Sequence, residues 1–156
     1  MSDFSHIDDT GEVTMVNVGG KSTTSRAARA RAMIEMLPTT RDALFDGSLP
    51  KGDAIATVRI AAIQGVKRTS DLIPLCHPLS IDGVQVDIAA TDGGASIEVE
   101  VMVTGRTGVE MEAMTGAAVG ALTMYDMIKG VDRGARVGSV ELLTKSGGAS
   151  GEWHRG

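Results

Sequence analysis

Two stretches of strict alternation, joined by Asp92-Gly93-Gly94, constrain the fold of this 156-residue chain more than any other feature. Val84, Val86 and Ile88 alternate with Gln85 and Asp87, and Ile97, Val99 and Val101 alternate with Glu98 and Glu100. A period of two places apolar side chains on one face of a strand and polar ones on the other. Asp-Gly-Gly supplies the positive φ angles that a tight hairpin needs. The pattern predicts strands over about 83–90 and 95–104, paired antiparallel with one face buried. A helix is predicted over about 109–130, with a small-residue stretch at Gly116, Ala117, Ala118, Gly120 and Ala121. Its most apolar part, Ala113 to Tyr125, falls short of the ~18 residues that span a bilayer, so no membrane partner is expected.

Other elements follow from caps and punctuation. Asp53 reads as the N-cap of a helix over 54–68, with Ile55, Val58, Ala62 and Val66 on one face. Pro38 and Thr39-Thr40 open a short helical segment closed by Gly47 and Pro50. The Ala- and Arg-rich segment 24–36, with Thr23 or Thr24 as cap, is expected to be helical on propensity. Val13 to Val18 is expected as a short strand, 69–80 as an irregular stretch and 136–144 as a final strand. The sum is an α+β arrangement, a single domain over 1–156 with a loose N-terminal arm, 1–11, and a Gly-rich mobile tail, 146–156.

Composition narrows the function. Net charge is −5 and aromatics are 3%, with Phe4, Phe45, Tyr125 and Trp153 scattered singly. Backbone binding to nucleic acid needs a basic surface and base stacking needs aromatic platforms, so no nucleic-acid partner is expected. The lone Cys76 excludes an intramolecular disulfide and a multi-cysteine zinc or iron–sulfur site. With no basic and apolar signal segment at the start, a cytoplasmic location is expected. Charge is uneven along the chain. Lys21 to Arg68 carries nine Lys/Arg against four Asp/Glu, whereas Asp71 onward carries six against twelve. Such a bias fits either solvated faces or cations gathered around an anionic ligand.

Several local patterns have two readings. Gly20-Lys21-Ser22-Thr23 resembles the end of a phosphate-binding P-loop, but Met15 stands where that motif needs its first glycine. Gly105 and Gly108 lack the first glycine of a dinucleotide fingerprint and are better read as a strand end and a helix start. Lys145 to Gly151 can wrap an anion with its backbone amides or form a flexible tail. In Pro74-Leu75-Cys76-His77-Pro78 two prolines stiffen the loop, and His77 is favoured over Cys76 as its functional side chain. Asp126 and Lys129 lie three apart on one helical face, as a surface ion pair or an acid–base couple. Glu112 precedes Asp126 by 14 residues, roughly 21 Å along a helix. If both serve one small ligand, two subunits supply them, and the small residues 116–121 suit a close helix approach; packing on the chain's own sheet explains them equally.

Taken together, Lys51-Gly52-Asp53, Lys67-Arg68-Thr69, Asp71 to Pro78, Thr107 to Ala113, Tyr125-Asp126-Met127 and Lys145 to Gly148 occur in an order that resembles the cyclic pyranopterin monophosphate synthase family of molybdenum-cofactor biosynthesis. The resemblance covers about residues 5 to 151, with Leu-Cys-His-Pro and Gly-Val-Glu-Met-Glu-Ala its most specific segments. Asn17 stands where the family commonly carries Asp.

This resemblance implies a ferredoxin-like antiparallel sheet with helices packed on it, assembled as a homohexamer, a trimer of dimers, with interface active sites. It implies a lyase that converts a cyclised dihydro-GTP, made by a radical S-adenosylmethionine GTP cyclase, to cyclic pyranopterin monophosphate and pyrophosphate. Matched by motif, Asp126 is the acid/base, joined by Lys51 and Lys129. Leu75, Cys76, His77, Met111 and Glu112 line the substrate site, and Arg26 and Lys145 contact the triphosphate. A lysine of lowered pKa is expected to share proton transfer with Asp126. No cofactor is required and no metal site is implied, although Mg²⁺ can accompany the triphosphate. Two other classes compete: a catalytically silent nucleotide sensor of the same build, and a P-loop hydrolase, which Met15 disfavours.

Overall fold

The alternating hairpin forms as its pattern dictates, and the sheet grows around it. In the computed structural model, which describes residues 6, 7 and 10–156, β2 (Gly83–Thr91) and β3 (Gly94–Gly105) pair antiparallel through Val84↔Val101 and Ile88↔Ile97. β1 (Thr24–Glu35) lies on the other side of β3, with Ala28↔Val101 and Ala32↔Ile97 in register. β4 (Arg136–Ser146) pairs with the far edge of β1, and a two-residue β5 (Trp153–His154) extends it, giving the order β2-β3-β1-β4-β5. Between the strands lie α1 (Pro38–Asp46), α2 (Ala54–Lys67), α3 (Thr69–Leu72) and α4 (Glu110–Ile128). Omitting β5, the succession β-α-β-β-α-β with the central pair β1 and β3 is the ferredoxin-like arrangement.

Segment 24–36 is a strand, not the expected helix. Ala28, Ala30, Ala32 and Ile34 are buried while Arg29 and Arg31 face the other way. That is a period of two, and ladders on both sides satisfy the backbone, so non-local pairing outweighs the helical propensity of Ala and Arg. The expected strand at 13–18 is reduced to one isolated bridge, Ile7↔Val13. Of the expected N-terminal arm, residues 1–5, 8 and 9 lie outside the described residues. Within the Gly-rich tail, Trp153 pairs with Lys145 and the Arg155 amide donates to the Leu143 carbonyl. The other elements fall within a few residues of expectation, the first turn after Arg68 being the short helix α3.

α2 and α4 cover one face of the sheet. Asp53 caps α2, its carboxylate accepting from the Ala56 amide at 2.9 Å. Val58, Ala62 and Val66 are buried, and beneath them lie Ala113, Ala117 and Ala121 of α4 with Ile97 and Val99 of β3. Gly65, Gly116 and Gly120 let the helices and sheet approach closely, for a methyl on Gly116 would stand 2.6 Å from Val66 Cγ2. The opposite sheet face is charged, with Arg29 and Glu98 paired at 2.6 Å and Arg31 and Glu141 at 3.3 Å. α4 is thus a rigid rod fixed on the sheet, and both of its ends carry chemistry.

Candidate active site

At the C-terminal end of α4, Asp126 holds two ammonium groups. Lys129 Nζ lies 2.7 Å from Asp126 Oδ1, a neighbour set by the i, i+3 spacing of a helix. Lys51 comes from the loop between α1 and α2; its Nζ lies 3.0 Å from Asp126 Oδ2 and donates to the Asp126 carbonyl at 2.6 Å. All three side chains remain about half exposed. The Lys129 and Lys51 hydrogen bonds and charges hold the Asp126 carboxyl below its ordinary range. Reciprocally, the bonded Asp126 carboxylate holds the Lys129 ammonium above its ordinary range. The expectation of a lysine of lowered pKa is therefore reversed for Lys129 in this subunit. Opposite charges in contact stabilise each other's ionised forms, and nothing is buried enough to counter that.

At the N-terminal end of α4, a cavity of about 310 Å³ collects Leu75, Cys76 and His77 with Met111 and Glu112. Pro74 and Pro78 frame the loop that carries the first three. A backbone turn in which the Cys76 amide donates to the Ile73 carbonyl at 3.1 Å sets its course. Glu112 lies in the first turn of α4 and is 4% exposed. Burial pushes its carboxyl pKa up, and the nearby Glu110 charge adds to the rise. The Cys76 thiol is also pushed up, by burial first and then by Glu112. A thiol so placed is a poor thiolate nucleophile.

A second, wider groove of about 790 Å³ adjoins the first and shares Lys21, Thr107, Gly108 and Glu110 with it. Arg26 and Arg106 line it, and Gly148 to Ser150 form its far wall. Arg26 is oriented by its Nε, which donates to the Gly105 carbonyl at 3.1 Å. Gly148 has φ +74°, and a methyl there would overlap the Arg26 guanidinium, so the glycine turn and the arginine fit as a pair. Lys145 stands behind the groove, bound to Glu110 at 3.3 Å and donating to Ser150 Oγ at 2.8 Å. A run of cations beside a glycine turn suits a polyphosphate.

The residues named from sequence therefore form two groups. Leu75, Cys76, His77, Met111 and Glu112 meet in one cavity, with Arg26 and Lys145 at the adjoining groove. Lys51, Asp126 and Lys129 meet at the other end of α4, a continuous helix from Glu110 to Ile128, and the rise of ~1.5 Å per residue separates Glu112 from Asp126 by roughly 21 Å. Sequence reasoning did not single out Lys21, Arg106 or Glu110 as site residues. The Gly20-Lys21-Ser22-Thr23 pattern and the local cationic excess from Lys21 to Arg68 were the signals for the first, and Glu110 stands in the Gly-Val-Glu-Met-Glu-Ala segment beside Met111 and Glu112; Arg106 joins only through folding. Among the described residues no cluster of three or more His, Cys, Asp or Glu is placed to hold a metal ion, and no helix is long and apolar enough to cross a membrane.

Comparison with known proteins agrees in coverage. The MoaC family profile matches residues 15–148. A cyclic pyranopterin monophosphate synthase of Streptomyces coelicolor is 50% identical over 152 residues, covering 97% of this chain and 89% of that protein. Proteins of the same name from Roseiflexus castenholzii and Novosphingobium aromaticivorans are each 49% identical, with 98% of the relative covered in both cases.

Proposed function

The chain belongs to the MoaC family, and from that membership we infer that it is the lyase of molybdenum-cofactor biosynthesis that converts cyclised dihydro-GTP to cyclic pyranopterin monophosphate and pyrophosphate. The observation that carries the reading into this chain's own chemistry is the Asp126 carboxylate clamped between Lys51 and Lys129. Opening the imidazolidine-like ring and building the pyranopterin take repeated proton transfers. Asp126 is the acid/base, and the two ammonium groups stabilise its charge and can pass protons through it. Leu75, Cys76, His77, Met111 and Glu112 hold the base-derived ring, and Arg26 and Lys145 hold the triphosphate. Closing the cyclic phosphate expels pyrophosphate, and cations stabilise the charge that develops on that leaving group.

The separation along α4 supports a site shared between subunits of a homohexamer built as a trimer of dimers. In it, the Lys51, Asp126 and Lys129 cluster of one subunit faces the His77 cavity of another. The substrate comes from a radical S-adenosylmethionine GTP cyclase, the enzyme works in the cytoplasm, and the chain acts as one catalytic domain. No redox cofactor is required, because the conversion is an internal rearrangement; Mg²⁺ can accompany the triphosphate as its counter-ion. Mass spectrometry of the purified protein mixed with cyclised dihydro-GTP, with GTP as control, tests the reading. Product from the cyclised substrate alone is expected. Binding without conversion indicates a silent nucleotide sensor instead, and hydrolysis of GTP indicates a nucleotide hydrolase.

A further inference from the structure

The groove beside the His77 cavity holds one acid among its cations, and that acid is built in. Glu110 lines both cavities and is paired with Lys145 at 3.3 Å, their side chains 30% and 25% exposed. Its carboxylate folds back over Gly108 so closely that a methyl group there would overlap it, so the glycine is needed for this placement. Lys145 is itself not among the residues lining either cavity; its ammonium is taken up by Glu110 and by Ser150 Oγ, which both line the groove. β5 fastens the strand end that bears it, through Lys145↔Trp153. Three other cations, Lys21, Arg26 and Arg106, face the groove. With Lys145 released into the groove, four positive charges would hold a polyanion tightly, and an enzyme that expels a polyanion must also let it go.

We propose that Glu110 is a specificity-setting counter-carboxylate that competes with the polyphosphate for Lys145, and so weakens the hold on the pyrophosphate product. The proposal rests on the reading of the groove as the triphosphate subsite. When the substrate's phosphates enter, Lys145 swings from Glu110 to the incoming oxygens. When pyrophosphate is left, the Glu110 carboxylate takes Lys145 back and repels the departing anion. The carboxylate belongs to the same chain and the same rigid end of α4 as Met111 and Glu112, so it is always at hand. A bound neutral group at this position would leave Lys145 free and the product stuck.

The test is a titration of the intact oligomer with inorganic pyrophosphate by calorimetry, without substrate and with a chelator present, for wild type, Glu110→Gln, Lys145→Ala and the double variant. Removing one negative charge that faces the anion should tighten pyrophosphate binding in Glu110→Gln by roughly tenfold, and the gain should shrink with added salt. Misfolding does not produce tighter binding, so the direction of the change separates this role from a structural one. In the Lys145→Ala background the tightening should shrink to the part that direct repulsion supplies, because there is no ammonium left to compete for. In turnover, Glu110→Gln should show stronger product inhibition by pyrophosphate. Unchanged or weaker binding by Glu110→Gln overturns the proposal, as does a full tenfold gain that persists without Lys145. The titrations need no catalysis, so a protein that binds pyrophosphate in this pattern but makes no product from cyclised dihydro-GTP refutes the enzymatic reading alone. Wild-type protein that makes product but does not bind pyrophosphate refutes the proposal alone.

Discussion

Asp126 and Glu112 are carboxylates on the same helix, and their surroundings drive them in opposite directions. Two ammonium groups hold Asp126 ionised, its pKa lowered from the ordinary 3.8 by Lys129 first and Lys51 second. Its folded pKa lies below the unfolded one, so its contribution to stability is present above that ordinary value and is lost as pH falls through the lowered one. At neutral pH it is a charged base awaiting a proton. Asp126→Asn keeps the shape and loses the proton cycle, so kcat should fall by about 10²- to 10⁴-fold while substrate affinity changes little; near-normal turnover by the purified variant would remove Asp126 from the mechanism. Glu112 is buried, and desolvation raises its pKa from the ordinary 4.5. For this group the folded pKa lies above the unfolded one, so stability is lost as pH climbs from about the ordinary value through the raised one. Glu112→Gln should therefore melt at a higher temperature than wild type at pH 8, with the gap closing towards pH 4. Calorimetric scans of both proteins across that range decide it, and a gap that widens on acidification contradicts the assignment.

At the scale of elements, the helix-on-helix contact of α2 and α4 depends on glycines where no side chain fits. Gly116→Ala would set a methyl 2.6 Å from Val66 Cγ2 and 3.1 Å from the Ala62 carbonyl. Overpacking of this kind costs about 1–3 kcal/mol, and each kcal/mol lowers Tm by roughly 2–4 °C in a domain of this size. Gly130→Ala, just past α4, meets nothing within 4 Å and should leave Tm unchanged; equal effects from the two would show that the contact is looser than drawn. Elements governed by local chemistry were legible in the sequence: the Asp53 cap, the Asp92-Gly93-Gly94 hairpin and the small-residue helix. β1 was not, because Ala and Arg favour a helix locally and only pairing with β3 and β4 makes its alternate alanines a buried row. The site divided in the same way. Leu75 to His77 and Met111-Glu112 sit in contiguous, unusual strings. Glu110 lies in the same string as Met111 and Glu112 but was not named as a site residue, and Arg106 lies in a segment read only as a strand end; both gain their meaning when the strand end, the helix start and the Gly148 turn close on one groove.

At the scale of the whole molecule, one rigid helix separates the two groups of residues that the proposed reaction would use together. Glu112 and Asp126 lie in a single unbroken α4, and ~1.5 Å of rise per residue keeps them roughly 21 Å apart. No rotamer of Lys51, Asp126 or Lys129 closes such a distance, and bending α4 would break its packing on α2 and the sheet. A second copy of the chain, as proposed above, would close it with α4 left straight. Two-fold symmetry then fixes the outcome of a mixing experiment. Take Asp126→Asn and His77→Ala, each inactive alone, and let their subunits exchange. In a hybrid pair, one site receives both lesions and the other receives neither. Random pairing makes half of the dimers hybrid, so about a quarter of all sites, and of wild-type activity, should return on the same symmetry argument. The readout is product formation after exchange, with hybrid content measured by mass spectrometry of the intact assembly. Restored activity that tracks the hybrid fraction establishes a site made by two chains. Hybrids that form and stay inactive mean that each site draws Asp126 and His77 from one chain, which would require the ends of α4 to meet by a rearrangement of this fold.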